Sequence, residues 1–248
     1  MKYSLLVNNM NYIKKPYLPK RKAKLFISDV PIDGSITIRS AAISCMPKSM
    51  KHHADLGICI ISEKKAVCPE ETLEYYKSAL REYGIDIIKG KSKLKGNYPH
   101  DCAYNVGVAG KWFFANEKVI DRELHNCLCE NGYEFIPVKQ GYAKCSMCAI
   151  DENSLITSDT GIFRACEKKG IDALLVSNDD IKLEGFENGF FGGCCGFDGE
   201  NLLVNGNAKT LKDYKSIEKF LTERGFGIIS LNSGAIVDIG SIIPLMTT

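Results

Sequence analysis

The sequence has no long apolar run and almost no net charge, and both absences narrow the range of functions. The 32 basic and 30 acidic residues of the 248-residue chain leave a net charge of +2, so we expect no basic surface of the kind that binds nucleic acid. The longest apolar stretches, such as residues 41–46 and 228–231, are far shorter than the roughly 20 residues that a membrane-spanning helix needs. The sequence therefore predicts neither a nucleic-acid partner nor a membrane span.

The N-terminal residues also lack the pattern of an export signal. Their apolar patch at residues 5–7 is short, and Asn8 and Asn9 interrupt it before any cleavage motif. Without such a signal, the 11 cysteines, an odd number in a long chain, do not indicate a disulfide framework. We therefore expect a cytoplasmic protein whose cysteines are mostly reduced thiols.

The spacing of the cysteines and glycines predicts no metal and no cofactor. Cys145 and Cys148 have CxxC spacing, but an offset of three on a strand places two side chains on opposite faces. Chelation together with Cys194 and Cys195 would require a bulge or loop there. The glycines of residues 189–196 lack the strand and helix context of a phosphate-binding loop, so we expect them to allow close approach of backbones instead.

Four segments are predicted to be amphipathic helices, each closed by a glycine, the residue that favours a left-handed cap. The predicted helices cover residues 69–83, 121–131, 159–169 and 211–224, and the glycines are Gly84, Gly132, Gly170 and Gly225. An apolar run of strand length follows each glycine, and a hairpin pattern precedes each helix. The predicted unit is therefore strand, turn, strand, helix, strand.

This unit recurs at nearly constant spacing along the chain. Alignment on the hairpin turns makes Asp55, Cys102, Lys144 and Phe191 equivalent, with separations of 47, 42 and 47 residues. A fifth unit begins with the strand-like segment at Asp238, and the strand-like segments of residues 24–28 and 36–43 can complete it. Closure of this kind would protect the edges of the small sheets.

The repeat predicts one α/β domain that spans residues 1–248. Its units begin near residues 53, 100, 142, 189 and 236, and residues of about 24–45 complete the last one. An open α/β sheet with coincidental spacing is the alternative.

Three segments within this pattern carry a resemblance to a known superfamily. They are QGYAKCSMCAIDENSLITSDTGI at residues 140–162, GFENGFFGGCCG at 185–196 and VDIGSII at 237–243. Together with the five units, they resemble a clostridial-type bacterial branch of the pentein superfamily, the guanidino-group modifying enzymes. The resemblance implies a five-bladed α/β propeller of ββαβ units with pseudo-five-fold symmetry, closed by the N-terminal segment.

In the superfamily, functional residues lie at the starts of the first strands, which line a central channel. The resemblance therefore nominates residues that open the five units. They are His53, Asp55, His100, Asp101, Lys144, Cys145, Cys194, Cys195 and Asp238. It also implies a small-molecule ligand in the channel.

The chain departs from the best-known penteins at two positions. Those enzymes attack a guanidinium carbon with a cysteine of the last unit, move protons with a histidine and hold the cation with carboxylates. Here Asp238 stands near the expected nucleophile, no cysteine follows Cys195, and no histidine follows His125. We therefore do not expect a typical deiminase or amidinotransferase.

The remaining candidate nucleophile is Cys145. Lys144 would lower the pKa of its thiol, and His53 or His100 could reach it across the channel mouth. We assign Cys145, His53 and His100 to catalysis. The residues assigned to substrate binding are Asp55, Asp101, Lys144, Cys194, Cys195 and Asp238. The plainer alternatives are a small buried thiol for Cys145 and polar turn residues for the histidine–aspartate pairs.

The sequence thus favours a hydrolase or related enzyme that acts on a C–N bond of a small cationic or amide-bearing nitrogen compound. The alternative is a non-catalytic pentein that binds a small ligand or a protein. The sequence leaves the oligomeric state open, a homodimer included.

Overall fold

The structure, a computed structural model, describes residues 22–245. The N-terminal segment for which no export signal is predicted lies outside these residues. The described chain has a mixed α/β fold in which fifteen short strands form five three-stranded sheets. This arrangement is consistent with the pentein fold.

The secondary-structure elements follow one another in chain order. The strands are β1 (Leu25–Ser28), β2 (Ile36–Arg39), β3 (Cys59–Ser62), β4 (Lys65–Cys68), β5 (Asp86–Lys89), β6 (Gly107–Ala109), β7 (Trp112–Ala115), β8 (Glu134–Pro137), β9 (Met147–Asp151), β10 (Ser154–Thr157), β11 (Asp172–Leu175), β12 (Cys195–Phe197), β13 (Asn201–Val204), β14 (Gly227–Ser230) and β15 (Ile243–Leu245). The α-helices are α1 (Ala54–Gly57), α2 (Glu70–Ala79), α3 (Arg122–Glu130), α4 (Thr160–Lys169) and α5 (Tyr214–Thr222).

Each sheet combines an antiparallel hairpin with a third, parallel strand. In the first unit β3 pairs antiparallel with β4, and β4 pairs parallel with β5 after the crossover through α2. The next three units repeat this pairing. The fifth sheet joins distant parts of the chain, because β1 pairs antiparallel with β15 and parallel with β2.

The predicted long helices are present, with slightly shorter bounds than the sequence indicated. Asp121 and Asp159 cap the N-termini of α3 and α4, since their side chains accept hydrogen bonds from Leu124 N at 3.0 Å and Ile162 N at 2.8 Å. Each helical region ends before a glycine with positive φ. These glycines are Gly84, Gly132, Gly170 and Gly225, as the sequence predicted.

The prediction that a strand begins at Asp238 is wrong by several residues. The strand β15 begins only at Ile243, because Gly240 and Ser241 both have positive φ, 74° and 72°, and turn the chain before it extends. In the first unit, likewise, the short helix α1 stands between His53 and β3. The side chains that open these two units therefore lie on turns before the strands.

The first strands of all five sheets line one small apolar cavity of about 70 Å³. Each contributes at least one side chain to its wall, among them Cys59, Val108, Cys148, Phe197 and Ile243. Asp55 and Lys144, which precede β3 and β9 in the chain, also line this cavity. As for membranes, none of the described helices is long and apolar enough to cross one.

Candidate functional site

The thiol of Cys145 lies in a buried polar cluster between turns of three units. Its Sγ donates a hydrogen bond to Asp55 Oδ2 at 3.0 Å, and Asn105 Nδ2 donates to the same sulfur at 3.1 Å. Cys145, Asp55 and Asn105 are 3%, 1% and 1% exposed. The residue predicted as nucleophile is thus held in a defined position by two polar partners.

Asn105 positions the loop that carries Cys145. Its Oδ1 accepts hydrogen bonds from the backbone N–H groups of Lys144 at 2.8 Å and Cys145 at 3.1 Å. Its Nδ2 also donates to the backbone oxygen of Asp55 at 3.2 Å. Asn105 was not predicted from the sequence, because a single asparagine before a glycine-containing strand carries no distinctive pattern.

Ser241, which was not predicted from the sequence either, joins the cluster from the fifth unit. Its Oγ is 2.5 Å from Asp55 Oδ2 and 2.8 Å from the carbonyl oxygen of Gly192, and it accepts a hydrogen bond from Lys144 Nζ at 3.1 Å. Lys144 therefore faces Ser241, and it forms no ion pair with Asp238 in the described structure. A small polar residue between apolar neighbours gave no signal in the sequence.

His53 and Asp238 form a second buried pair beside the thiol. Their side chains are 3% and 1% exposed, and His53 Nδ1 is 3.8 Å from Asp238 Oδ1. The Asp238 carboxylate accepts hydrogen bonds from the backbone N–H groups of Phe190 and Gly240, both at 2.9 Å. Within the described chain, neither ring nitrogen of His53 has a hydrogen-bond partner.

Glycines make room for this pair, as the sequence analysis expected for residues 189–196. A Cβ atom on Gly189 or Gly193 would overlap the side chain of Asp238, and one on Gly240 would overlap His53. The backbone must therefore pass directly against both side chains. Asp238 and His53 are consequently fixed by steric contact as well as by polar contacts.

Burial and like charge govern the protonation of the cluster. Burial and the charges of Asp55 and Asp238 raise the pKa of the Cys145 thiol well above its usual value. Burial likewise raises the pKa of the Asp238 carboxyl, although the nearby His53 opposes the shift. The thiol is therefore protonated at neutral pH, contrary to the expectation that Lys144 would lower its pKa.

A second cavity, of about 340 Å³, opens onto the cluster and shares no lining residue with the apolar cavity. His53, Cys145 and Asp238 line it, and Tyr142 and Phe190 contribute aromatic rings. Its volume falls in the range of small-molecule sites, about 300–1,000 Å³. The candidate nucleophile, imidazole and carboxylate thus face one space that a small ligand can occupy.

Three side chains of the cluster have the spacing of metal ligands. The potential ligand atoms of His53, Asp55 and Cys145 all lie within 4.8 Å of one another. Nitrogen, sulfur and oxygen donors of this kind suit Zn²⁺. The CxxC pair is not part of this group, because Cys148 lies apart from Cys145 and lines the apolar cavity.

The other candidate residues lie outside the cluster. His100 is exposed, and it does not line the 340 Å³ cavity. Asp101 is buried, and its Oδ2 accepts a hydrogen bond from the hydroxyl of Tyr142 at 2.7 Å. Cys194 and Cys195 are fully buried, and both thiols donate to the backbone oxygen of Phe191 at 3.1 Å. The structure therefore brings together His53, Asp55, Lys144, Cys145 and Asp238.

Solved structures of similar fold are enzymes of the pentein superfamily. DDAH from Pseudomonas aeruginosa, a mutant complexed with citrulline, matches with a TM-score of 0.54 at 11% identity, over 86% of this chain and 93% of that chain. C. jejuni agmatine deiminase matches with a TM-score of 0.54 at 13% identity, over 90% and 81%. The N-terminal domain of ArgZ, an arginine dihydrolase from the ornithine–ammonia cycle in Cyanobacteria, matches with a TM-score of 0.53 at 12% identity, over 86% and 81%. At these identities the comparison shows a similar fold.

Comparison of sequences identifies one family. The model described as "Family of unknown function (DUF6873)" matches residues 26–243. Among curated proteins, none matches the chain significantly.

Proposed function

Because the chain belongs to the family of unknown function DUF6873, its activity has to be inferred from the site, and we propose a thiol-dependent hydrolase or transferase. Its substrate is a small cation with a C–N bond, a guanidine or an amidine. The observation that carries the proposal is the meeting of Cys145, His53 and Asp55 within 4.8 Å, beside a cavity that Asp238 also lines. The proteins of similar structure include an agmatine deiminase and an arginine dihydrolase, which supports the same class of substrate.

Asp238 is proposed to bind the cationic head group. It is a buried carboxylate that faces the cavity, and its two hydrogen bonds from backbone N–H groups leave lone pairs on both oxygens. A guanidinium or amidinium presents several N–H donors on one plane and matches such an acceptor. Binding of this cation also places positive charge beside Cys145.

The bound cation is proposed to activate the thiol. Burial and the charges of Asp55 and Asp238 disfavour the thiolate and so raise the pKa of Cys145. A positive charge between these groups offsets the two carboxylates and lowers that pKa. Cys145 therefore becomes a nucleophile when substrate is present and stays protonated otherwise.

The proposed reaction has two stages with His53 as the proton carrier. The Cys145 thiol gives its proton to His53, and the sulfur forms a bond to the central carbon of the substrate. The C–N bond then breaks, its electron pair stays on nitrogen, and the imidazolium protonates the departing amine or ammonia. Asp238, 3.8 Å from His53 Nδ1, stabilises the imidazolium.

In the second stage a water or another acceptor attacks the same carbon. His53 accepts the proton of the acceptor, the C–S bond breaks, and the sulfur takes the proton back as a thiol. Water as acceptor makes the protein a hydrolase, and an amine makes it a transferase.

We also propose that the five sheets close into a five-bladed propeller. One cavity is lined by the first strands of all five sheets, the fifth sheet joins β15 to β1, and the cluster links turns of the first, second, third and fifth units. An experimental structure with an open gap between two neighbouring sheets would contradict this closure.

The catalytic proposal is tested with purified protein and a panel of guanidines and amidines. Release of ammonia or amine is measured, and mass spectrometry is used to detect a covalent adduct on Cys145. Cys145→Ser should abolish both signals, whereas Cys45→Ser, at an exposed cysteine, should retain both. Full turnover by Cys145→Ser would show that the assignment of the nucleophile is wrong.

The rival function, ligand binding without catalysis, is favoured by one observation. The Cys145 thiol is buried, and its pKa is raised, which suits a structural thiol as well as a substrate-activated one. Saturable binding of a cation with neither turnover nor adduct in the wild-type protein would support this rival.

Location and assembly are further proposals. All eleven cysteines are free thiols, which fits a reducing compartment such as the cytoplasm. A homodimer is proposed as well, and light scattering coupled to size-exclusion chromatography measures its mass directly.

A further inference from the structure

We propose that the substrate is a linear dication without a carboxylate, with a guanidinium or amidinium head at Asp238 and an amine at the outer end near Glu187. This inference rests on the proposed function and specifies its substrate. The observations that carry it are the charges along the cavity, its aromatic walls and its continuity with an outer groove.

The charges that line the cavity all favour cations. Asp238 and Glu187 are the carboxylates among its described lining residues, and no lysine or arginine of the described chain lines it. His53, 3% exposed with both ring nitrogens unpartnered, faces the same space. The carboxylate of an amino-acid substrate would therefore enter a partly desolvated cavity without a positively charged partner, close to negative charge.

The walls suit a cationic chain with apolar methylene groups. The rings of Tyr142 and Phe190 lie 5.8 Å apart between centroids, and Phe186 lines the cavity further out. Aromatic faces attract ammonium and guanidinium groups. Met50 and Leu183 add apolar surface for the alkyl segment between two charges.

The outer end of the cavity continues into an open groove. The two share Leu183, Phe186, Glu187 and Asn188, and the groove also contains Glu184. Glu187 and Glu184 are exposed and form no ion pair in the described chain, whereas Asp179 of the same groove pairs with Lys212 at 2.8 Å. Lys182 lines the groove but not the inner cavity, so Glu187 is the carboxylate available to a second positive charge at the junction.

The first experiment compares two ligands that differ by one carboxylate. Binding of agmatine and of L-arginine to the Cys145→Ser protein is measured by titration calorimetry, and thermal shifts of the wild-type protein are recorded in parallel. We expect agmatine to bind at least about tenfold more tightly than arginine, a difference of about 1.4 kcal/mol. The wild-type measurement keeps the comparison valid if the serine variant folds poorly.

The second experiment tests whether Glu187 binds the outer, amine charge of the ligand. Glu187→Gln should weaken agmatine binding about two- to fivefold, as expected for an exposed ion pair, and leave binding of n-butylguanidine unchanged. n-Butylguanidine has the same head group and chain without the amine. Glu184→Gln is the matched control, since Glu184 lies in the groove but outside the inner cavity, and it should change neither affinity.

The outcomes separate the two levels of the proposal. Arginine binding as tightly as agmatine overturns the substrate class and leaves the proposed function standing. An unchanged agmatine affinity in Glu187→Gln overturns the placement of the second charge. Failure of agmatine, arginine and n-butylguanidine to bind overturns both the substrate class and the proposed cationic substrate.

Discussion

The hydroxyl of Ser241 lies 2.5 Å from Asp55 Oδ2, although 186 positions separate the two residues in the sequence. The same hydroxyl contacts the Gly192 carbonyl and the Lys144 ammonium. One side chain thus connects the first, third, fourth and fifth units. Among the described residues, Ser241 is also the one non-glycine residue with a positive φ, 72°.

Two substitutions at Ser241 separate its hydroxyl from its backbone. Ser241→Ala loses the hydroxyl contacts and keeps the unfavourable φ, so we expect the free energy of unfolding to fall by about 2–3 kcal/mol. Ser241→Gly loses the same contacts but relieves the backbone strain, so its free energy of unfolding should be about 1 kcal/mol higher than that of the alanine variant. Urea unfolding measures both, and an alanine variant as stable as the wild type would contradict the linking role.

Asn105→Ala should strongly destabilise the cluster. The substitution removes hydrogen bonds to the Cys145 sulfur, the Asp55 oxygen and two backbone N–H groups. Buried groups left without partners cost about 1–3 kcal/mol each, so we expect a loss of about 3 kcal/mol or more in urea unfolding. Asn116→Ala removes two exposed hydrogen bonds, one to the Lys139 carbonyl oxygen and one from the Lys118 N–H; it is the control and should cost less than about 1 kcal/mol.

Asp55→Asn should make Cys145 react at lower pH. Burial is the largest cause of the raised pKa of the Cys145 thiol, and the charge of Asp55 is the next largest. Removal of that charge therefore lowers the pKa of the thiol. The pH dependence of iodoacetamide labelling, measured at Cys145 by peptide mass spectrometry, reports the change. The exposed thiol of Cys45 is an internal reference, and identical Cys145 profiles in both proteins would refute the electrostatic role of Asp55.

Asp238→Asn should gain stability relative to the wild type as the pH rises. Burial raises the pKa of Asp238 in the folded state, so the stability contributed by its protonated form is present at low pH and is lost as the pH rises through that pKa. Asparagine does not ionise and avoids this loss. Unfolding free energies at about pH 4, near the ordinary pKa of an aspartate, and at about pH 7 should show the difference, and a pH-independent difference would contradict it.

Turnover should survive treatment with a metal chelator. The proposed reaction uses the Cys145 thiol and the His53 imidazole as free groups, although both belong to a trio with ligand spacing. Activity is measured before and after dialysis against EDTA and again after addition of Zn²⁺. Loss on dialysis and recovery with Zn²⁺ would mean that these side chains coordinate a metal in the active protein.

Local features of the fold were predictable because they depend on local sequence. Glycine after each helix marks its end, and alternation of apolar runs with turns marks the hairpins. The beginning of β15 was misplaced because the positive φ of Ser241 depends on contacts with distant units. No pattern near that serine encodes those contacts.

The candidate site was predictable only in part. The histidine–aspartate pairs at His53 and His100 look alike in sequence. In the structure His53 packs directly against Gly240, whereas His100 is exposed. Asp238 was predicted because it stands at the opening of the fifth unit, where the resemblance places functional residues. Asn105 was not recognised, because its importance lies in hydrogen bonds to the turn that carries Cys145.

Because β1 pairs with β15, we expect the site to assemble late in folding. Residues near both ends of the described chain must meet before the fifth sheet exists, and only then does Ser241 reach Asp55. Such long-range contacts make folding slow. A fragment that ends before β15 lacks the pairing that forms the fifth sheet, so we expect the proposed chemistry at Cys145 to require the chain through residue 245.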